Sequence, residues 1–195
     1  ISLQIGLSLR YLEISKAEAA RRREMTKDLE VIRERNRILG IMSANDELTG
    51  LLNLRGFTEE AKKFCHEEQE QRAYMICGDL DHLKEINDNW GHPAGNFALR
   101  SVAEILRGCI RSDDVLARVG GDEFLILLKC TEEGYQEIFR KRVKDACTYF
   151  NEKSDKPFLV EISLGIAEFC SGPQTDIQQV IATADQFLYE AKKHR

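Results

Sequence analysis

The chain has 195 residues, 43% of them hydrophobic, and a formal net charge of −5. That is enough for one domain with a substantial core plus an appendage. An acidic chain with no visible basic face excludes a nucleic-acid binder held by phosphate neutralisation. No apolar run approaches the roughly 18 residues that span a membrane, and no secretory signal is present. The six cysteines, at 65, 77, 109, 130, 147 and 170, form no C-x-x-C pair. They read as reduced, buried thiols of a cytoplasmic protein rather than a disulfide framework. The chain begins at Ile1 rather than Met, which reads as a piece of a longer protein whose sensor or membrane segment lies upstream.

Residues 1 to about 44 lack proline and are rich in Leu, Glu, Arg and Ala. Met25, Leu29, Ile32, Asn36 and Leu39 follow the alternating four- and three-residue spacing of a coiled-coil seam. Ile5, Leu9, Leu12, Lys16 and Ala19 keep the same spacing one residue out of phase, so the seam slips near residues 20 to 26. Asn36 on the seam pairs best with its own copy, favouring a parallel, in-register homodimer. The alternative is a single amphipathic helix packed on its own domain. Ile1, Leu3, Ile5, Leu7 and Leu9 alternate and also fit the tail of an upstream strand.

Ser43 to Asn53 breaks the periodicity and reads as a hinge, dividing the chain into a dimerisation and signalling helix (1–44) and a globular domain (45–195). A polar helix follows from Arg55 to about Gln71, then a strand at Ala73–Gly78, a loop, and a helix from Pro93 to Ile110. Proline suits that helix's first turn, where its missing N–H costs nothing. Val115–Val119 and Phe124–Leu128 read as a β-hairpin, with the second run apolar enough for a strand buried on both faces. A helix (Glu132–Asn151), a strand (Phe158–Phe169) and a helix (Asp176–His194) close the chain. Strand–helix–strand–strand–helix–strand with flanking helices predicts an α+β fold, a mixed or antiparallel central sheet covered by helices.

The chemistry is concentrated where strands end in acids. The hairpin turn is Gly120-Gly121-Asp122-Glu123, and the Ala73 strand runs into Asp79-Leu80-Asp81. Asp79 lies 43 positions before Asp122 and meets it only if the two strands are neighbours. Carboxylates at adjacent strand ends form a hard-oxygen site suited to Mg²⁺, with substrate phosphates completing the shell. Glycines at 120 and 121 can take positive φ and let backbone and ligand approach closely. A solvated polar turn is the plainer reading of four such letters alone.

Taken together, these residues resemble the GGDEF-domain diguanylate cyclases, which join two GTP molecules into cyclic di-GMP. Besides Gly120-Gly121-Asp122-Glu123-Phe124, the chain carries Asp46-Glu47-Leu48-Thr49-Gly50-Leu51 and Asn53-Leu54-Arg55-Gly56-Phe57. It also has Asp79 to Asp88 followed by Gly91-His92, then Ser163-Leu164-Gly165-Ile166, and Ala184 to Lys192. The resemblance covers roughly residues 45 to 195 and implies a core similar to the palm of polymerases and adenylyl cyclases.

The reaction it implies is attack of one GTP 3′-hydroxyl on the α-phosphorus of another, twice, at the interface of a homodimer. The resemblance gives Asp79, the Leu80 carbonyl, Asp122 and Glu123 to Mg²⁺, with Mn²⁺ as a substitute, and one of the last two acids to the 3′-proton. Lys84 and Lys192 are candidates for the β- and γ-phosphates, Gly120 and Gly121 for the ribose and α-phosphate, and Asn87 for guanine. Asp81 and His82 read as loop anchors. Arg111-Ser112-Asp113-Asp114, with Asp114 six residues before Gly120, resembles the family's inhibitory product site.

This chain departs from the family pattern at three places. Asn96 stands where an Asp usually accepts guanine's hydrogen bonds, which predicts relaxed base selectivity, extending to ATP or mixed dinucleotides. Leu54 replaces a common Arg, and the family's phosphate-binding arginine falls at or just beyond Arg195. Two further readings remain open: a non-catalytic receptor for cyclic di-GMP or GTP, and a purely structural dimerisation module.

Overall fold

Strands in the described part of the chain pair in the spatial order β2-β3-β1-β4, and every pairing is antiparallel. The computed structural model describes residues 21, 22, 25, 27, 44–66, 70–129 and 132–193. In chain order the elements are α1 (Leu54–Cys65), β1 (Arg72–Leu80), α2 (Leu83–Trp90), α3 (His92–Cys109), β2 (Val115–Arg118), β3 (Glu123–Leu128), α4 (Tyr135–Lys153), β4 (Ile162–Cys170) and α5 (Ile177–Lys193). The chain divides into two units, Ile1–Ser43 and Ala44–Arg195. Arg21, Arg22, Met25 and Lys27 are helical and exposed. The coiled-coil seam as a whole, its slip and the Asn36 pairing lie outside the described residues, as do Cys130 and Arg195.

The inner strands β1 and β3 are apolar on both faces because helices cover both. Successive side chains of a strand point to opposite faces. Tyr74, Ile76, Phe124, Ile126 and Leu128 join Leu99, Val102 and Leu106 of α3 and Phe139 and Val143 of α4 in one core. Met75, Cys77, Leu125 and Leu127 join Phe57, Ala61 and Phe64 of α1 and Ala184 and Leu188 of α5 in the other. Gly165 of β4 seats α5, since a Cβ there would come within 2.1 Å of the Ala184 carbonyl oxygen. No helix among the described residues is long and apolar enough to cross a membrane.

The antiparallel sheet and the hairpin agree with the sequence reading, while one helix was not expected and several boundaries differ. The stretch after β1, expected as a loop, contains α2, which starts behind His82 in the left-handed region (φ 60°) without a side-chain cap. With no N-terminal capping side chain and only Ile86 fully buried, the usual start signal and a broad apolar face are both missing from that segment, although Gly91 closes it. β4 begins at Ile162 rather than Phe158, because the Asn151 amide takes both the N–H (2.9 Å) and the C=O (3.0 Å) of Val160 and replaces a ladder partner. Helix α1 ends at Cys65, where the His66 amide donates to the Lys62 and Lys63 carbonyls. Of the described cysteines, Cys65, Cys77, Cys109 and Cys147 are buried and Cys170 is exposed; all are free thiols.

Candidate active site

The β1–β3 register places Asp79 directly opposite Glu123. Directly opposed residues of an antiparallel pair project from the same face, here the one covered by α1 and α5. One residue further on, the Leu80 N–H donates to the Asp122 carbonyl (3.0 Å), which ties the turn to the end of β1. Asp79 and the adjacent pair Asp122 and Glu123, 43 positions on in sequence, are thus brought together at one end of the sheet. From α5, the Lys192 ammonium lies 2.5 Å from Asp79 Oδ1. Burial pushes the Asp79 carboxyl above its ordinary range, the charges of Asp122 and Asp81 add to this, and the Lys192 bond opposes it. The side-chain carboxylates of Asp122 and Glu123 make no hydrogen bond or ion pair among the described residues.

The donor set fits a hard divalent cation. A partly buried carboxylate that resists ionisation and already draws an ammonium is a place where positive charge lowers the energy. Among the described residues no three carboxylate, imidazole or thiol groups converge closely enough to hold an ion alone. An ion here would take the remaining ligands from the Leu80 carbonyl and a polyphosphate, which is how Mg²⁺ is commonly held. Enzymes of the family identified below are metal-dependent.

Two cavities open at this edge. One, of about 350 Å³, is lined by Asp79, Leu80, Asp81, His82, Lys84, Asp122 and Lys192. Its floor is fixed by buried Asp81, whose N–H donates to the Glu161 carbonyl (3.0 Å) and whose carboxylate accepts from Ser163 Oγ (2.7 Å). His82 Nδ1 lies 3.1 Å from Glu85 Oε1 at the start of α2, a contact that raises the imidazole above its ordinary value. The other cavity, of about 530 Å³, runs beneath Glu123 toward α5 and includes Leu54, Gly78, Cys77, Asp185 and Tyr189. Burial pushes the Cys77 thiol up to about 12, so it is inert there.

Neither turn glycine adopts positive φ, contrary to one of the two reasons for expecting them. The close-approach reason applies to Gly120, where a Cβ would meet Glu123 Oε2 at 2.5 Å; Gly121 has open space around it. Asn87 on α2 folds against Gly95, where a Cβ would come within 2.1 Å of its amide oxygen. Asn96, in the first turns of α3, is exposed. Neither asparagine lines the acid-edged cavities. Arg111 and Asp114 are elsewhere again, on a separate cavity of about 620 Å³ between α3 and β2. There Asp114 accepts from the backbone N–H groups of Arg111 (2.8 Å) and Lys129 (2.9 Å).

The sequence reading missed Arg118 and its partners. The Arg118 guanidinium donates to the Gly121 carbonyl from Nη2 (2.7 Å) and Nε (3.2 Å), and from Nη1 to Asp46 Oδ2 (2.9 Å). The other Asp46 oxygen accepts from the Thr49 N–H (2.9 Å) and hydroxyl (2.6 Å). Asp-x-x-Thr is a legible local turn signal, but its meeting with an arginine 72 residues away is not.

An antiparallel sheet backed by helices on both faces, with hard-oxygen donors gathered at one edge, defines an α+β domain of the cyclase type. The family described as "Diguanylate cyclase, GGDEF domain" matches residues 43–195, and the chain belongs to that family. It is 32% identical over 160 residues to the probable diguanylate cyclase DgcT of Escherichia coli K12, covering 80% of this chain and 35% of that one. It is 36% identical over 152 residues to the diguanylate cyclase DgcP of Pseudomonas aeruginosa, covering 76% of this chain and 22% of that one. The chain therefore spans about a third or less of these two relatives. In structure it is similar to the GGDEF domain of DgcB from Caulobacter crescentus in complex with cyclic di-GMP, with a TM-score of 0.67 and 25% identity. That likeness covers 78% of this chain and 91% of the other.

Proposed function

We propose that the chain condenses two GTP molecules into cyclic di-GMP, each domain of a homodimer presenting one nucleotide to the other. The observation that carries this is the strand-end juxtaposition of Asp79, Asp122 and Glu123 with Lys192 on Asp79. Phosphoryl transfer of this kind needs in-line placement and charge neutralisation more than covalent chemistry. Asp79, the Leu80 carbonyl, Asp122 and Glu123 would hold Mg²⁺. That ion, when bound, neutralises the phosphates and stabilises the developing charge. One of Asp122 and Glu123, whose carboxylates have no hydrogen-bond or ion-pair partner among the described residues, would accept the 3′-hydroxyl proton. Lys84 and Lys192, both on the smaller acid-edged cavity, supply positive charge to the β- and γ-phosphates. Lys192 would reach them by exchanging Asp79 for phosphate. Asn87, fixed against Gly95, presents its amide to guanine, and Asn96 weakens the preference for that base. Product returns to Arg111 as an inhibitor.

A second reading, a receptor that binds cyclic di-GMP without turnover, is favoured by one observation: the Asp79 carboxylate is engaged by Lys192. Incubation with GTP and Mg²⁺, with products separated by chromatography, decides between the two. Cyclic di-GMP formed by the parent and abolished in Asp122→Ala is the expected result. No product from a confirmed dimer that still binds cyclic di-GMP would leave the receptor reading in place. Parallel incubations with ATP, and with both nucleotides, test base selectivity.

A further inference from the structure

We infer that Arg118 is a positioning residue for the site, holding the turn that carries Asp122 in place by tying it to Asp46. The inference rests on the reading of Asp122 as a working acid. A peptide unit is planar, so fixing the Gly121 carbonyl fixes the Asp122 N–H on its far side. Arg118 fixes that carbonyl with two N–H donors, at 2.7 and 3.2 Å. The peptide on the other side of Asp122 is fixed as well, because its carbonyl accepts from the Leu80 N–H at 3.0 Å. Asp122 is thus suspended between two pinned peptides, one held by a strand and one by a single side chain.

That side chain is itself immobilised. Arg118 ends β2, its N–H donates to the Leu52 carbonyl (2.8 Å), and its side chain is only 13% exposed. Its remaining N–H reaches Asp46, whose second oxygen is taken by Thr49. The geometry suits a guanidinium, whose rigid planar fork presents Nε and Nη2 to the carbonyl and Nη1 to the carboxylate, where an ammonium offers a single point charge. Gly121 has open space where a Cβ would stand, so side-chain packing does not hold this part of the turn. The arginine does so by hydrogen bonding, and the catalytic turn is anchored to the loop where the globular domain begins.

Arg118→Ala and Arg118→Lys in the full chain test this through steady-state kinetics with GTP and Mg²⁺ and amide hydrogen exchange resolved to residues 120–123. Arg118→Ala is expected to lower kcat roughly 30-fold, with KM within threefold, because misplaced groups cost rate more than binding. Exchange at 120–123 should quicken while β1 and β4 keep the parent's protection. Arg118→Lys keeps the charge without the fork and should recover less than a third of the lost rate. A folded Arg118→Ala with kcat within threefold of the parent, with unchanged exchange at 120–123, or a full rescue by lysine, overturns the inference. If the parent makes no cyclic di-GMP, the cyclase reading fails by itself, and exchange at 120–123 alone decides the role of Arg118.

Discussion

At the ends of β1 and β3 the fold leaves carboxylates available, whereas in the loop between α3 and β2 it consumes the carboxylate and leaves an arginine. The Asp122 and Glu123 carboxylates have no hydrogen-bond or ion-pair partner among the described residues, and the Asp79 carboxylate is met only by a lysine. Asp114, by contrast, spends both oxygens on backbone N–H groups, while the exposed Arg111 guanidinium has no partner among the described residues. A group saturated by the backbone organises its loop, and a group held near others but unsatisfied is free to meet a ligand. The contrast assigns cation binding to the first region. It supports the proposal that Arg111 contacts product in the second, with Asp114 the staple beneath it.

Asp79→Asn should break the first region most severely, lowering kcat on the order of 1000-fold, as loss of a pre-organised charged group does. Its stability should not fall. The Asp79 carboxyl is raised in the folded state by burial first and by Asp122 next, so at neutral pH folding disfavours its charge, and a neutral isostere removes that cost. Turnover and thermal denaturation measured on the same sample check both halves. A variant that is inactive because it has unfolded would defeat the comparison.

Gly120→Ala and Gly121→Ala separate the two turn glycines. The first puts a methyl on Glu123 Oε2, a mobile tip that can yield with little loss of stability, but the group that yields belongs to the site. A fall in kcat of about 30-fold is expected, with Tm near the parent's. The second has room and should stay within threefold unless substrate itself fills that space. A silent Gly120→Ala would place Glu123 outside the chemistry.

In the other region, Arg111→Ala should weaken cyclic di-GMP binding by 10-fold or more and relieve product inhibition, leaving the initial rate intact. Calorimetry and product-inhibition kinetics are the measurements. Asp114→Asn inverts the Asp79→Asn outcome. It keeps turnover but costs about 1 kcal/mol, since one backbone N–H then faces an amide rather than an acceptor. Denaturant unfolding measures that cost.

The smallest effect is the acid limb of stability. Burial tends to raise the Asp46 carboxyl, but the Thr49 and Arg118 hydrogen bonds outweigh it and leave it below its ordinary value of 3.8. A carboxylate lowered in the folded state stabilises above its unfolded value and loses that contribution as pH falls through the folded one. Parent and Asp46→Asn should therefore differ by a constant amount near neutrality and converge below about pH 4. Curves that stay parallel into acid would remove the Asp46–Arg118 ion pair from the account.

Several things were legible in the residues alone. Uninterrupted apolar runs, one ending in Asp79 and one beginning just after Gly-Gly-Asp-Glu, announce inner strands with acids at their ends, because a strand buried on both faces must be apolar throughout. The Gly-Gly turn, Pro93 and the closing helix follow from equally local chemistry. What waited on the tertiary structure is everything that joins distant residues or depends on who is already satisfied. The opposition of Asp79 and Glu123 needed the register, and the reach of Lys192 needed α5 seated on Gly165. Helix α2 was hidden because it lacks an N-terminal capping side chain, and the start of β4 because an asparagine side chain stands in for a strand. Arg118 lay in plain view beside the signature, yet its task depends on a carbonyl three residues on and a carboxylate 72 residues back. Local periodicity records which face of an element is buried. Which groups that burial brings together, and which are left unsatisfied, is decided only by the packed chain.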